Sequence, residues 1–206
     1  EFDNSSFLDF LLKNIKKAKT IKNVIIAVPS DKYIELFRLV AKKNKVKFFF
    51  TNKADEKDVL KRYYLCSKKF KSKNIIRVTS DCPFLNPIII DKMVNYYKKN
   101  KLNFLTNNEP RYLPHGFDCE IIKSDLLKEM HLKAKNPYER EHVTPWIYTN
   151  IFKKENNFKI IEENLSKVRL TLDYDKDYIK FKKNVELLKK ISQRPNYLTF
   201  LKKNFK

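Results

Sequence analysis

Apolar positions along the chain recur at two alternating periods. Within residues 7–19, Phe7, Leu8, Leu11, Leu12 and Ile15 fall on one helical face, with Ser5 or Ser6 placed to cap it. A wholly apolar strand over residues 24–28 follows and is stopped by Pro29. Ser30 opens a second helix carrying Ile34, Leu36, Phe37 and Val40. Residues 46–50 then read as a strand and 55–70 as a helix. Residues 75–78 form a third short strand and 87–97 a further helix. Strands apolar on both faces, alternating with amphipathic helices, predict βαβ units and a largely parallel sheet covered on both sides. After Asn100 the rhythm loosens. Residues 104–106, 117–122, 158–161 and 168–172 read as strands, and 124–134, 141–151 and 175–191 as helices. No repeat, low-complexity tract or linker interrupts the pattern. The expectation is a single domain over residues 1–206, with 101–165 as its less regular, ligand-facing part.

Composition narrows the class. Hydrophobic residues at 42% and aromatics at 14% exclude a disordered chain. The longest apolar run, ending at Val28, is strand-sized and far from the ~20 residues of a membrane span. Three cysteines (Cys66, Cys82, Cys119) are odd in number and lack CxxC pairing, which argues against a disulfide scaffold or structural zinc and for a reducing, cytoplasmic setting. The chain begins Glu1-Phe2, and no signal peptide pattern follows. The formal charge of +21 suggests a nucleic-acid or membrane-surface binder. Yet the 45 basic residues divide into 38 Lys and 7 Arg, and Arg is the residue that grips phosphate and base edges bidentately. Coding bias towards Lys, Asn, Ile and Phe accounts for the charge without a nucleic-acid partner, although it still attracts anionic ligands.

Ligands of open α/β sheets sit beyond the carboxyl ends of the strands, so residues just after each strand carry the chemistry. Asp81, in Thr79-Ser80-Asp81-Cys82-Pro83, follows the strand at 75–78. It either faces a hard cation such as Mg²⁺ or caps the turn before Pro87. Asp173 stands in the same relation to the strand at 168–172, and two strand-end carboxylates in one sheet can share an ion. Gly116 is the only glycine, so its position is expected to need positive φ or close backbone approach. Asp118 and Glu120, two apart, share one strand face that is either ligand-facing or the solvated side of an edge strand. Glu139-Arg140-Glu141-His142 reads most simply as a solvated helix start. With one glycine there is no GxGxxG and no GxxxxGK[ST], which excludes a dinucleotide oxidoreductase and a P-loop NTPase for these residues.

Five blocks in order carry a family resemblance: Asp58-Val59-Leu60-Lys61-Arg62-Tyr63; residues 76–87, with Thr79-Ser80-Asp81-Cys82-Pro83 at their centre; residues 112–120, containing His115-Gly116-Phe117-Asp118; Tyr138-Glu139-Arg140-Glu141-His142-Val143-Thr144-Pro145; and Arg169-Leu170-Thr171-Leu172-Asp173. Together they resemble the SpsF-type proteins of spore-coat polysaccharide biosynthesis, within the cytidylyltransferase superfamily of the CMP-KDO and CMP-sialic acid synthetases. The resemblance covers residues 7–191 or so. It implies a three-layer, mostly parallel α/β sheet of the nucleotide-diphospho-sugar transferase (GT-A-like) type. It also implies Mg²⁺-dependent attack of a sugar hydroxyl on the α-phosphate of CTP, with pyrophosphate leaving. By motif position Asp81 and Asp173 would be catalytic metal ligands, and Asp58 and Arg62 would lie on the nucleotide side. Arg111, His115, Asp118, Glu120, Arg140 and His142 would lie nearer the acceptor sugar.

Such enzymes open with a strand and a loop of the form GSxRLPGK, and this chain starts where that loop ends. The expectation is therefore an N-terminally truncated cytidylyltransferase that binds CTP poorly, with exposed hydrogen-bonding edges in its sheet. By analogy with the superfamily, an apolar seam on the helices near Val143 to Ile147 would suit a homodimer. Two alternatives belong to other classes: a glycosyltransferase of the same fold that transfers sugar rather than nucleotide, and a non-catalytic basic binding module.

Overall fold

The computed structural model describes residues 6–183 and residue 203. Helix α1 (Phe7–Ile15) starts at Ser6, whose hydroxyl accepts from the Asp9 amide while the Asp9 carboxylate reaches back to the Ser6 amide. That carboxylate is buried and also takes the Asn44 amide and the Lys43 ammonium, tying α1 to the end of α2 (Ile34–Lys43). Burial alone would raise its pKa, but these hydrogen bonds outweigh burial and lower it to about 2. Strands β1 (Ile25–Pro29) and β2 (Lys47–Thr51) pair in parallel around α2. Then come α3 (Val59–Lys69), β3 (Asn74–Arg77), α4 (Pro87–Lys99), β4 (Phe104–Thr106) and β5 (Glu120–Lys123). The described chain closes with α5 (Ser124–Lys133), α6 (Pro137–His142), α7 (Pro145–Asn150) and α8 (Asp175–Lys183).

The class is α/β, as the periodicity predicts, with one feature the pattern does not show. Strand β5 lies between β3 and β4 and runs antiparallel to both, so the parallel arrangement is interrupted by one reversed strand. Three layers follow from strand alternation. Across the register Ile76, Ile121 and Leu105 align and meet the core formed with α1 and α4; their neighbours Ile75, Ile122 and Phe104 align and meet a second core under α3, α5 and α7. Among the described residues β1 pairs only with β2, and β3 only with β5. Their apolar residues accordingly remain partly exposed: Ile25, Ala27, Val28, Ile75 and Ile76 are half-buried rather than fully covered.

Three further expectations change. The helix expected over 141–151 is two helices, α6 and α7, broken where Val143 takes a φ of 73° and Pro145 starts afresh at the first helical position. Val143, Trp146 and Ile147 are buried in the second core, so they form no exposed dimer seam. The strands expected at 158–161 and 168–172 are loops touching their neighbours through single bridges, Thr106 with Asn157 and His115 with Arg169. The final helix is described only as far as Lys183; the rest of the expected 175–191 helix lies outside the described residues.

The shortage of glycine leaves a mark on the helix ends. Helices α2, α3 and α4 each finish in a Schellman motif, with paired bonds such as Lys45 N–H to the Lys42 carbonyl and Val46 N–H to the Ala41 carbonyl. The left-handed position that glycine usually fills is held by Lys45 (φ 51°), Lys71 (φ 49°) and Lys101 (φ 52°). The lysine pairs just before them, Lys42-Lys43, Lys68-Lys69 and Lys98-Lys99, sit in last turns, where the helix dipole favours positive charge. Each of Lys45→Gly, Lys71→Gly and Lys101→Gly is expected to raise unfolding free energy by about 0.5–1 kcal/mol, because relief of the left-handed Cβ penalty exceeds the entropy cost of glycine. Urea unfolding checks this; a midpoint that falls in all three variants would mean the lysines carry no strain.

Candidate functional site

Three backbone segments converge beyond β3. The turn after β3 is closed by Cys82 N–H donating to the Thr79 carbonyl, and it presents Asp81. Leu172 N–H donates to the Asp81 carbonyl at 2.8 Å, which sets Asp173 one residue from Asp81's backbone. The third segment, 111–118, is joined to the second by His115 N–H to the Val168 carbonyl and Leu170 N–H to the His115 carbonyl. Asn107 secures it from below, donating to the Phe117 carbonyl and accepting from the Cys119 amide. Gly116 meets both parts of its expectation: φ is +102°, and a Cβ there would lie 2.5 Å from the Leu170 carbonyl oxygen.

The convergence gathers Asp81, Asp173, Arg111, His115 and Asp118. Helix α4 is capped by Asn86, whose side chain accepts from the Ile88 amide, so Asp81 is not its cap. Among the described residues no hydrogen bond or ion pair engages the Asp81 carboxylate. Asp118 does not form an acidic face with Glu120; it precedes β5 and holds the Arg111 guanidinium through both oxygens. Burial would lower the Arg111 pKa, but the Asp118 carboxylate outweighs it and raises it. Burial, with Arg111 and Arg169 close by, pushes the His115 imidazole below its ordinary value, so it is neutral at pH 7. Beside them burial pushes the Cys82 thiol up to about 12 and raises that of Cys119 further, making both inert. Cys66 is buried too, and all three thiols are free.

The remaining expected residues lie elsewhere. Glu120 is buried on the second-core face of the sheet, where it takes Arg77 at 2.7 Å, Thr144 at 2.9 Å and Tyr148 at 3.2 Å. Asp58 caps α3 and receives the Arg140 guanidinium at 3.0 and 2.6 Å, clasping α3 to α6. Burial would raise the Asp58 pKa; the Arg140 hydrogen bonds and the Lys61 amide outweigh it and lower it. Arg62 is buried and spends its guanidinium on the Glu56 carbonyl at 2.8 Å. His142 is exposed against the Tyr138 ring. Asp58, Arg62, Glu120 and Arg140 thus hold the framework together, and their contacts are internal.

Two residues in the convergence were given no site role from the sequence. Arg169 donates to Asp173 at 2.7 Å and to Asp177 at 2.8 Å. The Asp177 carboxylate also accepts the amides of Asp173 and Tyr174. Their spacing, a basic residue followed by acids four and eight positions on, is the signal that could have found them. A separate cleft of about 370 Å³ lined by Lys16, Lys22, Lys45 and Lys47 opens where β1 and β2 begin, away from the ends that carry these groups.

A layered α/β sheet with acids and a paired arginine gathered beyond one strand end is the framework of a nucleotidyltransferase-type protein. The chain belongs to the cytidylyltransferase family, whose model matches residues 1–202. It is 33% identical over 190 residues to an uncharacterised protein of Methanocaldococcus jannaschii, covering 88% of this chain and 74% of that one. It is 25% identical over 203 residues to the spore coat polysaccharide biosynthesis protein SpsF of Bacillus subtilis, covering 94% and 80%. Among solved structures, a cytidylyltransferase from Leptospira borgpetersenii superposes with a TM-score of 0.87 at 31% identity, covering 99% of this chain and 86% of the other. The CMP-2-keto-3-deoxy-manno-octonic acid synthetase complexed with CTP shares the fold, with a TM-score of 0.64 at 11% identity and 90% of each chain covered.

Replacing the glycine tests the convergence directly. Gly116→Ala is expected to lower unfolding free energy by at least about 2 kcal/mol, since a methyl group must displace the Leu170 backbone and adopt a strained φ. An unaltered denaturation midpoint would show that the two segments are not locked together.

Proposed function

We propose that the protein transfers CMP from CTP to the hydroxyl of a sugar or sugar acid, releasing pyrophosphate, in a soluble cytoplasmic step of surface polysaccharide or glycoconjugate synthesis. The observation that carries this reading is the hydrogen bond from the Leu172 N–H to the Asp81 carbonyl, which sets the backbone leading to Asp173 against the turn after β3 that carries Asp81. Family membership supports the nucleotide, and the name of the SpsF relative supports the polysaccharide setting. The nucleic-acid reading loses ground because the lysine pairs are accounted for at helix ends. No helix among the described residues is long and apolar enough to cross a membrane.

The donor chemistry fits Mg²⁺. Asp81 and Asp173 offer hard carboxylate oxygens, and no group of three or more His, Cys, Asp or Glu converges among the described residues. Asp81 and Asp173 would hold such an ion, one or two protein carboxylates being the usual protein share where Mg²⁺ serves a nucleotide. Bound there, Mg²⁺ supplies neutralisation of the charge that builds on the phosphate oxygens. The acceptor oxygen bonds to the α-phosphorus, the bond to the β-phosphate oxygen breaks, and the hydroxyl proton is released. Arg111, fixed by Asp118, presents a preset positive charge to an anionic substrate. His115, neutral at pH 7, can accept a hydrogen bond from a sugar hydroxyl. Asp58, Arg62, Glu120 and Arg140 hold the frame through their internal contacts.

Pyrophosphate release from CTP with Mg²⁺ and a panel of sugar acids and aminosugars tests the reading. Asp81→Asn and Asp173→Asn are each expected to reduce the rate at least about 100-fold, as loss of a charged group that acts on the transition state does. Retained activity in both variants would remove the pair from the chemistry. UDP- or GDP-sugar turnover without pyrophosphate would replace this reading with sugar transfer.

A further inference from the structure

Asp173 is already partnered in a way that bears on its use as a ligand. Its carboxylate and the Arg169 side chain are each 39% exposed and paired at 2.7 Å, so solvent reaches the contact and the pair can open. Arg169 is not held by Asp173 alone. The same guanidinium nitrogen reaches Asp177 at 2.8 Å, and the Asp177 side chain is only 10% exposed. Asp177 lies in the first turn of α8 and reaches back to the amides of Asp173 and Tyr174 at 3.0 and 3.1 Å, the acidic half of a capping box. One buried carboxylate therefore anchors both the backbone of the candidate ligand and the cation that covers it. The Arg169 guanidinium also lies over the Tyr174 ring, 5.2 Å from its centre, a second hold independent of Asp173.

We propose that Arg169 is a resident counter-cation that competes with a divalent metal for Asp173, and that Asp177 is the positioning residue that keeps Arg169 within reach when the metal displaces it. This rests on the reading of Asp173 as a metal ligand. Metal entry exchanges one positive partner of Asp173 for another, while Asp177 retains the guanidinium beside the incoming phosphate charge. Without the arginine, Asp173 would carry an uncompensated charge whenever metal is absent. With it, a bare cation binds weakly, and one arriving with an anionic nucleotide gains from the guanidinium it displaces.

Mn²⁺ titration of the full chain without nucleotide, followed by the electron paramagnetic resonance signal of the free ion, reads this without any turnover. Arg169→Gln is expected to tighten Mn²⁺ binding by about two- to fivefold, the range for removing a half-exposed competing ion pair. Lys176→Gln removes one positive charge from the same helix end without contact to Asp173 and is expected to change binding by less than half as much. Asp177→Asn leaves Arg169 to Asp173 alone and is expected to weaken binding, but to have no effect once Arg169 is already Gln. If Arg169→Gln binds no tighter than Lys176→Gln, or if Asp177→Asn weakens binding equally in both backgrounds, general electrostatics explains the pair and the proposal falls. Loss of binding in Asp173→Asn shows that the underlying metal reading holds in either case. No Mn²⁺ binding by the parent chain or by Arg169→Gln would overturn both.

Discussion

The site depends on a contact between two stretches of backbone. Residues 115–118 and 168–173 approach so closely that residue 116 has no room for a Cβ: the Leu170 carbonyl oxygen occupies the place where it would sit. Hydrogen bonds on either side, His115 to Val168 and Leu170 to His115, hold the segments at that distance. Two residues further on, Leu172 reaches the Asp81 carbonyl, and Asp173 is delivered beside the turn that follows β3. The order in space runs from a missing methyl group to the docking of the 168–173 segment on the turn that carries Asp81. A chain that uses lysine in left-handed conformation at three helix ends keeps its one glycine here, where backbone rather than solvent lies against it.

The sheet beneath divides the molecule's ionic groups into two sets. On the second-core face Arg77, Glu120 and Thr106 stand in one cross-strand row, and Glu120 is buried with Arg77, Thr144 and Tyr148 around it. Such a carboxylate is costly to bury unless every lone pair finds a partner, and Thr144 at the junction between α6 and α7 and Tyr148 of α7 supply two of them. The Asp58–Arg140 pair extends the same work outward, clasping α3 to α6. At the sheet's end the groups around Asp81 are partly exposed and held by fewer partners, which suits exchange with a ligand. A charged pair that is fully enclosed fixes geometry; one that is half open can change partner.

The chain belongs to the cytidylyltransferase family and superposes closely on a cytidylyltransferase. The Glu120 contacts tie the sheet to Thr144 and α7, and the Asp58–Arg140 pair ties α3 to α6. The excess of lysine fits the same picture: much of it caps helices or lies on their outer turns, and in the convergence the positive groups are arginines with defined carboxylate partners.

The sequence by itself determined the layers. Alternation of apolar runs with helical faces set the strands and helices from Phe7 to Lys99 within a few residues, because those elements bury their apolar residues locally and their period records it. It also marked Gly116, since one glycine in an otherwise glycine-free chain has few explanations other than backbone geometry. It could not show the reversal of β5, which depends on pairing partners far along the chain rather than on its own pattern. Nor could it show that residues 168–172 approach 115 through single bridges rather than as a strand, or that Val143 breaks a helix and packs inward. Above all, the family resemblance implied Asp58, Arg140 and Glu120 beside a ligand, whereas the fold binds Asp58 to Arg140 across 82 residues and buries Glu120 against Arg77. Residue type states what a side chain can bond to; which partner it meets is fixed only when distant segments are packed together.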